Sequence, residues 1–289
     1  MANSTYRLTP NESSLWLHYI EHQVGFVLPN AQIEWIKWFI ERHLAANGLS
    51  NTDFLAAIAT DKQRYHRLFD DILIPRTQFF RHPLTFSFIE QYATAWQVAN
   101  MARETETARP FTAWSVGCST GQEPLSIAMT LKSILPTHSA FTVFGSDFHQ
   151  KALQQAQCGK YELNELDLVP PLYRYWLMKQ DDSLVIANRL QQHLQYFSLN
   201  LVQPPPSLPI QPGQCQLIVC QNVLIYFRQF VQRDVIKYLT QFLAEDGVLI
   251  LGSGEILRLN QRELVRLPTH QVDAYVKQNA PSWLMTLSE

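Results

Sequence analysis

The stretch whose reading decides the fold is Trp114-Ser115-Val116-Gly117-Cys118-Ser119-Thr120-Gly121-Gln122-Glu123-Pro124. It begins as a buried strand, turns through two glycines and enters a helix that continues as Leu125-Ser126-Ile127-Ala128-Met129. Open α/β sheets hold their ligands at such strand-to-helix turns, where backbone N–H groups and a helix N-terminus converge. Glycine lets the backbone approach a ligand with no Cβ in the way. Gly117 and Gly121 give G-x-x-x-G, not the G-x-G-x-x-G that cradles a dinucleotide pyrophosphate. Glu123 lies in the first helical turn and suits a ligand bearing positive charge or hydroxyls better than a phosphate.

Outward from this turn, strands and helices alternate. Thr112–Gly117, Thr142–Ser146, Leu217–Cys220 and Val248–Gly252 read as strands, with helices at Glu123–Leu135, Gln150–Gln157 and Gln229–Phe242 between them. This alternation predicts a mostly parallel sheet with helices on both faces. Two strand-like pieces in residues 183–198, around Asn188-Arg189, suggest a short antiparallel excursion, a β-subdomain at about 179–198. Leu264–Leu267 and Val272–Val276 read as a terminal hairpin around Pro268-Thr269-His270. The prolines from Pro204 to Pro212 mark a stiff loop beside the ligand edge.

Upstream, period-3.6 patterning predicts a small helical bundle. Its first helix follows the capping candidates Asn11-Glu12-Ser13-Ser14, and Pro29-Asn30 restarts the chain. A third helix starts near Asn51 and a fourth covers Asp61–Ile72. Another runs from about Phe79 to Met101, followed by a polar loop from Arg103 to Pro110. The expected division is a helical domain at 1–74, a linker at about 73–78 and an α/β domain at 75–289.

Bulk properties narrow the function. The 289 residues are 46% hydrophobic and carry a formal charge of −2. A general nucleic-acid binder normally shows a basic excess, so none is expected here. The four cysteines form no C-x-x-C pair, which argues against a zinc site or disulfide framework and fits a cytoplasmic setting. The first residues lack the pattern of a signal peptide, and no apolar run is long enough to span a membrane.

Four segments are expected to meet at the carboxyl ends of the strands: the glycine turn; Gly145-Ser146-Asp147; Ser198-Leu199-Asn200-Leu201; and Val219-Cys220-Gln221-Asn222-Val223-Leu224-Ile225-Tyr226-Phe227. Asp147 stands 26 positions past Gly121, near the spacing at which an acidic residue takes the ribose hydroxyls of a nucleoside. Singly, each residue has a plainer role: Asp147 as a turn residue, Cys118 as a small apolar filler, Glu123 as a favourable charge at a helix start. Their order together is more specific.

Four blocks carry a family resemblance: Arg76-Thr77-Gln78-Phe79-Phe80-Arg81, Trp114 through Ser126, Cys220 through Phe227, and Gly252-Ser253-Gly254-Glu255. The chain resembles the CheR-type chemoreceptor glutamate methyltransferases over roughly residues 10–277, and within them the type IV pilus chemosensory branch. The resemblance implies a Rossmann-like class I sheet dependent on S-adenosylmethionine, with a small all-α N-terminal domain that docks on the helical region of a methyl-accepting chemoreceptor. It implies methyl transfer to glutamate carboxylates, with S-adenosylhomocysteine as product and no metal. Residues matching Thr77, Arg81, Glu123, Asp147, Asn200, Leu201 and Asn222 contact the cofactor in this family; here the backbone at Gly117 and Gly121 is expected to pack against its methionine part, and Gln221 is a further candidate for the cofactor site. Arg81 and Tyr226 are the expected residues at the transfer site. Lys37, Arg42, His43, Arg64 and Arg67 are the candidates for facing acidic receptor sites. A monomer, recruited from the cytoplasm to receptor arrays without membrane insertion, completes the expectation.

The chain departs from the family pattern at several points. Gln221 replaces a common arginine, Pro75 replaces an asparagine of some members, and Gly252-Ser253-Gly254-Glu255 replaces G-H-S-E. Residues 179–183 lack the glycine-containing loop that grips a receptor's pentapeptide tether, so tether-independent action is expected. Competing readings are a non-catalytic adaptor that binds the same cofactor, a methyltransferase acting on another substrate, and, more remotely, a nicotinamide oxidoreductase.

Overall fold

The structure is a computed structural model that describes residues 6–27, 30–101, 109–137, 139–255, 263–269 and 272–287. Four helices come first: α1 (Pro10–Val24), α2 (Asn30–Asn47), α3 (Asn51–Thr60) and α4 (Lys62–Ile72). α1 starts ahead of the expected caps. The Thr9 hydroxyl accepts from the Glu12 N–H, and the Glu12 carboxylate accepts from the Thr9 N–H at 2.9 Å, a reciprocal box that satisfies two orphan donors. Trp16, Ile36, Phe54 and Phe69 meet in the centre of the bundle, each at most 1% exposed. The expected restart at Pro29 lies outside the described residues, as does most of the loop from Arg103.

α5 (Pro83–Met101) leads into the sheet. It starts four residues later than patterning suggests. Phe80 takes a left-handed backbone with φ 49°, and its N–H donates to the Ser126 hydroxyl at 3.1 Å. Its ring stacks on Tyr173 with centroids 5.1 Å apart. Two buried phenylalanines thus anchor the turn and leave Arg81 at the surface.

β1 (Phe111–Val116), α6 (Gln122–Ile134), β2 (Phe141–Asp147) and α7 (Gln150–Cys158) follow. The chain then builds a small antiparallel sheet of β3 (Lys160–Glu162), β4 (Leu177–Gln180) and β5 (Ser183–Ile186), ordered β3-β5-β4. α8 (Asn188–Gln191), β6 (Leu194–Ser198), β7 (Cys215–Cys220), α9 (Gln229–Phe242), β8 (Leu243–Leu251), β9 (Leu264–Arg266) and β10 (Asp273–Lys277) complete it. The main sheet runs β6-β2-β1-β7-β8-β10-β9. Its first five strands are mutually parallel, and β10 is antiparallel to both neighbours.

The antiparallel excursion exists with different bounds. Residues 160–186 form it, whereas the second strand-like piece is β6, which pairs parallel to β2 with Tyr196 opposite Gly145. The short helix α8 at Asn188-Arg189 carries the chain across to the sheet edge, so this segment is no hairpin turn. β9 and β10 form the expected terminal pair, although His270 lies outside the described residues. β1 has β2 on one side and β7 on the other. The chain switches sides there, and ligands bind at such a switch outside the strands' carboxyl ends.

Candidate active site

Gly117 leaves β1 with φ 72°, and a Cβ there would overlap a methyl of Val223. Only glycine fits both the backbone and the space. Two residues on, the Ser119 N–H donates to Asp147 Oδ2 at 2.7 Å. Asp147 Oδ1 accepts from the His149 N–H at 2.8 Å. Burial pushes the Asp147 carboxyl above its usual range, and these N–H groups oppose the rise. The carboxylate therefore ties the β1–α6 turn to the start of α7. The Ser119 hydroxyl on this turn is buried and has no hydrogen-bond partner among the described residues.

Glu123 projects from the first turn of α6. The Ser115 hydroxyl donates to its Oε1 at 2.7 Å. Burial pushes this carboxyl up to about 7, against the Ser115 hydrogen bond and the nearby Arg81. Cys118 is 1% exposed, and burial holds its thiol well above the usual value. It fills space and is no thiolate nucleophile.

Beyond β7, Asn222 adopts a left-handed backbone with φ 61°. Its Oδ1 lies 2.8 Å from His82 Nε2. The Glu255 carboxylate accepts from the N–H of Asn222 and, at 3.1 Å, from that of Leu224. A Cβ on Gly252 would fall on this carboxylate. Gly252→Ala is therefore expected to dislodge Glu255 and leave two backbone donors without their acceptor, at about 1–3 kcal/mol of stability. Thermal unfolding checks this; an unchanged midpoint would refute the clamp.

These segments border a cleft of about 430 Å³, counting the part open to solvent. Arg76, Thr77, Gln78, Arg81, His82 and Phe86, from the segment that leads into α5, line it together with Gly117, Glu123, Gln221 and Asn222 from the strand ends and the start of α6. Arg81 Nη1 donates to the Arg76 carbonyl at 3.1 Å, which steadies the guanidinium at the mouth. Gln221 Nε2 reaches Thr85 Oγ1 at 3.2 Å and the Leu251 carbonyl at 3.4 Å.

The structure thus brings Thr77, Arg81, Gly117, Glu123, Gln221 and Asn222 together. Asp147 and Gly121 bound the adjoining turn without lining the cleft. Tyr161 backs Gly121, its hydroxyl donating to the Thr120 carbonyl at 2.9 Å. Asn200, Leu201 and Tyr226 sit elsewhere, along the seam with the helical bundle. Asn200 donates to the Gln23 carbonyl at 2.7 Å, Leu201 packs on the apolar layer behind β7, and Tyr226 leans on Phe26 with centroids 5.2 Å apart. Arg76, Gln78, His82 and Phe86 had not been singled out as site residues. Their signal was proximity to Arg81, each lying within five positions of it in the chain.

A sheet of this order, with Glu123 in the first turn of α6 and Asp147 at the end of β2, is the Rossmann-like class I S-adenosylmethionine methyltransferase fold, here with an N-terminal helical bundle and a small antiparallel sheet. Residues 75–273 match the family described as "CheR methyltransferase, SAM binding domain". The chain belongs to that family. It is 27% identical over 245 residues to the chemotaxis protein methyltransferase of Salmonella typhimurium, covering 82% of this chain and 80% of that one. The corresponding Escherichia coli protein is 26% identical, with 82% and 81% covered. A Borreliella burgdorferi chemotaxis protein methyltransferase is 24% identical across 90% of this chain and 93% of its own. Among the described residues, no helix is long and apolar enough to cross a membrane.

Proposed function

We propose that this chain is a protein-glutamate O-methyltransferase that esterifies glutamate side chains of a methyl-accepting chemoreceptor during sensory adaptation. The observation that carries the proposal is that a half-buried carboxylate, Glu123, and a guanidinium, Arg81, line one cleft at the switch point. That pair complements the ammonium and carboxylate of an amino-acid moiety. Asp147, half-buried beside the turn, supplies acceptors suited to ribose hydroxyls, and the Ser119 hydroxyl, without a partner among the described residues, offers a further polar contact beside it. The residues present therefore fit S-adenosylmethionine.

When bound, the cofactor supplies a sulfonium-activated methyl group. The acceptor glutamate is already ionised near neutral pH, so the chain need provide no base. Its task is positioning, which can supply a large part of the barrier reduction. Glu123 holds an ammonium, Arg81 orients a carboxylate through its planar fork, and Thr77, Gln221 and Asn222 close the cleft around the cofactor. Asn200, Leu201 and Tyr226 do not line this cleft; the roles that the family resemblance gives them rest on that resemblance alone.

The helical bundle is the proposed receptor-docking domain. Of its candidate cations, Arg42 lies over the Trp38 ring at 5.4 Å, Lys37 pairs with Glu34 at 2.7 Å, and His43 faces Asp71 at 3.1 Å. The β4–β5 connection is a two-residue turn at Asp181-Asp182, with Asp181 at φ 51°. So short and acidic a turn supports tether-independent action. Service to a type IV pilus receptor, as a monomer recruited from the cytoplasm, is the finest layer of the proposal.

Two measurements test it. Calorimetry should show S-adenosylhomocysteine binding and no NADH binding. Labelled methyl groups should pass from S-adenosylmethionine to receptor-containing membranes as base-labile esters. Absence of cofactor binding overturns the proposal; binding without transfer leaves the adaptor reading.

A further inference from the structure

The residues that follow Asp147 turn away from the cleft and into the helical bundle. Phe148 sets its ring among three side chains of α4, with centroid distances of 6.0 Å to Tyr65, 6.0 Å to His66 and 5.4 Å to Phe69. His149 Nε2 donates to the carbonyl of Leu73, just past α4, at 3.1 Å. Asp70 of α4 places Oδ1 at 2.8 Å from the Gln150 N–H and 3.1 Å from His149 Nδ1. The Asp70 and His149 side chains are only 6% and 8% exposed. A carboxylate from one domain thus meets the N-terminus of α7 in the other, where negative charge is favoured. The next rung is an exposed ion pair between Lys151 and Asp71 at 2.7 Å.

We propose that α4 is a positioning element of the cofactor site. Phe148 and His149, gripped by α4, fix the backbone that carries Asp147, and through the His149 N–H they fix its carboxylate against the glycine turn. The helical domain is then part of the cofactor-binding unit in addition to any docking role. This follows from chain connectivity: the tripeptide Asp147-Phe148-His149 has its carboxylate at the sheet edge and both following rings held by α4 or the linker after it. A carboxylate keeps two hydrogen bonds at fixed length only while its backbone is held, and the two anchored rings that follow Asp147 hold it. The consequence for cofactor affinity rests on the function proposed above, but the positioning itself does not.

The test uses the full chain with Phe148→Ala, Phe148→Leu and Asp70→Asn, and with Lys151→Ala as a control that breaks the neighbouring exposed pair. Amide hydrogen exchange without ligand reads the positioning directly. Exchange at the Ser119 and His149 N–H groups should quicken at least tenfold in Phe148→Ala and Asp70→Asn, recover partly in Phe148→Leu, and stay within twofold in Lys151→Ala. The dissociation constant for S-adenosylhomocysteine should rise at least tenfold in the first two, with kcat at saturating S-adenosylmethionine within twofold of the parent. Unchanged exchange in folded Asp70→Asn overturns the proposal, as does equal loosening in Lys151→Ala. If Phe148→Ala does not fold, Asp70→Asn and Phe148→Leu decide. If the parent binds no S-adenosylhomocysteine, the function reading falls while the exchange data still judge the positioning.

Discussion

Asp147→Ala is expected to weaken S-adenosylhomocysteine binding by a hundredfold or more in calorimetry. The carboxylate does two jobs that alanine can do for neither. It accepts from the Ser119 and His149 N–H groups at 2.7 and 2.8 Å, and in the proposed complex it also accepts from ribose hydroxyls. Hydrogen bonds to a charged group contribute about 1.5–3 kcal/mol each, so losing two from the ligand alone corresponds to a factor of roughly a hundred or more. The turn would loosen as well, because its Ser119 N–H loses its acceptor and its tie to the start of α7. Asp147→Asn keeps one acceptor oxygen and should fall between parent and alanine. Affinity within twofold of the parent in Asp147→Ala would remove the ribose from this carboxylate. The same variant should leave the distant bundle core around Trp16 and Phe54 intact, so far-ultraviolet circular dichroism should retain its helical signal.

The parts legible in the sequence were those whose pattern is local. A glycine-bracketed turn between an apolar strand and a helix marks its own place, and β1, Gly117 and α6 stand where the spacing put them. Asp147 was legible for the same reason, as an acid closing a strand. The small sheet was only half legible, because β3 has three residues and pairs with β5 more than twenty positions away. β6 looked antiparallel because alternation alone carries no strand direction. Glu255 stood in a recognised block without a role, since its partners are backbone N–H groups about thirty residues earlier. Backbone donors leave no residue-type signal. His82 was missed because its partner, Asn222, is 140 positions away. Asn200 and Tyr226 show the converse: motif membership placed them at the site, while the tertiary fold spends their visible contacts on α1 and the segment after it.

Cofactor affinity should be pH-dependent through Glu123, and Glu123→Gln should abolish that dependence. Burial pushes this carboxyl up to about 7 in the ligand-free protein. An ammonium binds the ionised form, so below that value each binding event must first remove a proton. Affinity for S-adenosylhomocysteine should therefore rise about tenfold per pH unit between 5 and 6.5 and level off above about 7.5. Proton release measured in buffers of different ionisation enthalpy should follow the same curve. Stability of the ligand-free protein runs the other way. The folded state holds its proton up to about 7 while the unfolded chain releases it near the ordinary value of 4.5. The folded state binds more protons in that window, so the contribution of this group to stability falls as pH rises through it. Ligand restores the loss by giving the carboxylate a counter-charge. Glu123→Gln removes both effects: the ligand-free protein should melt higher than the parent at pH 8, and the ligand should bind at least tenfold more weakly there. A destabilising charge kept at a binding site is the trade between stability and function that active sites commonly make. A flat affinity profile in the parent from pH 5 to 8 would show that Glu123 does not meet the ammonium, and the orientation of the amino-acid moiety between Glu123 and Arg81 would have to be reversed or abandoned.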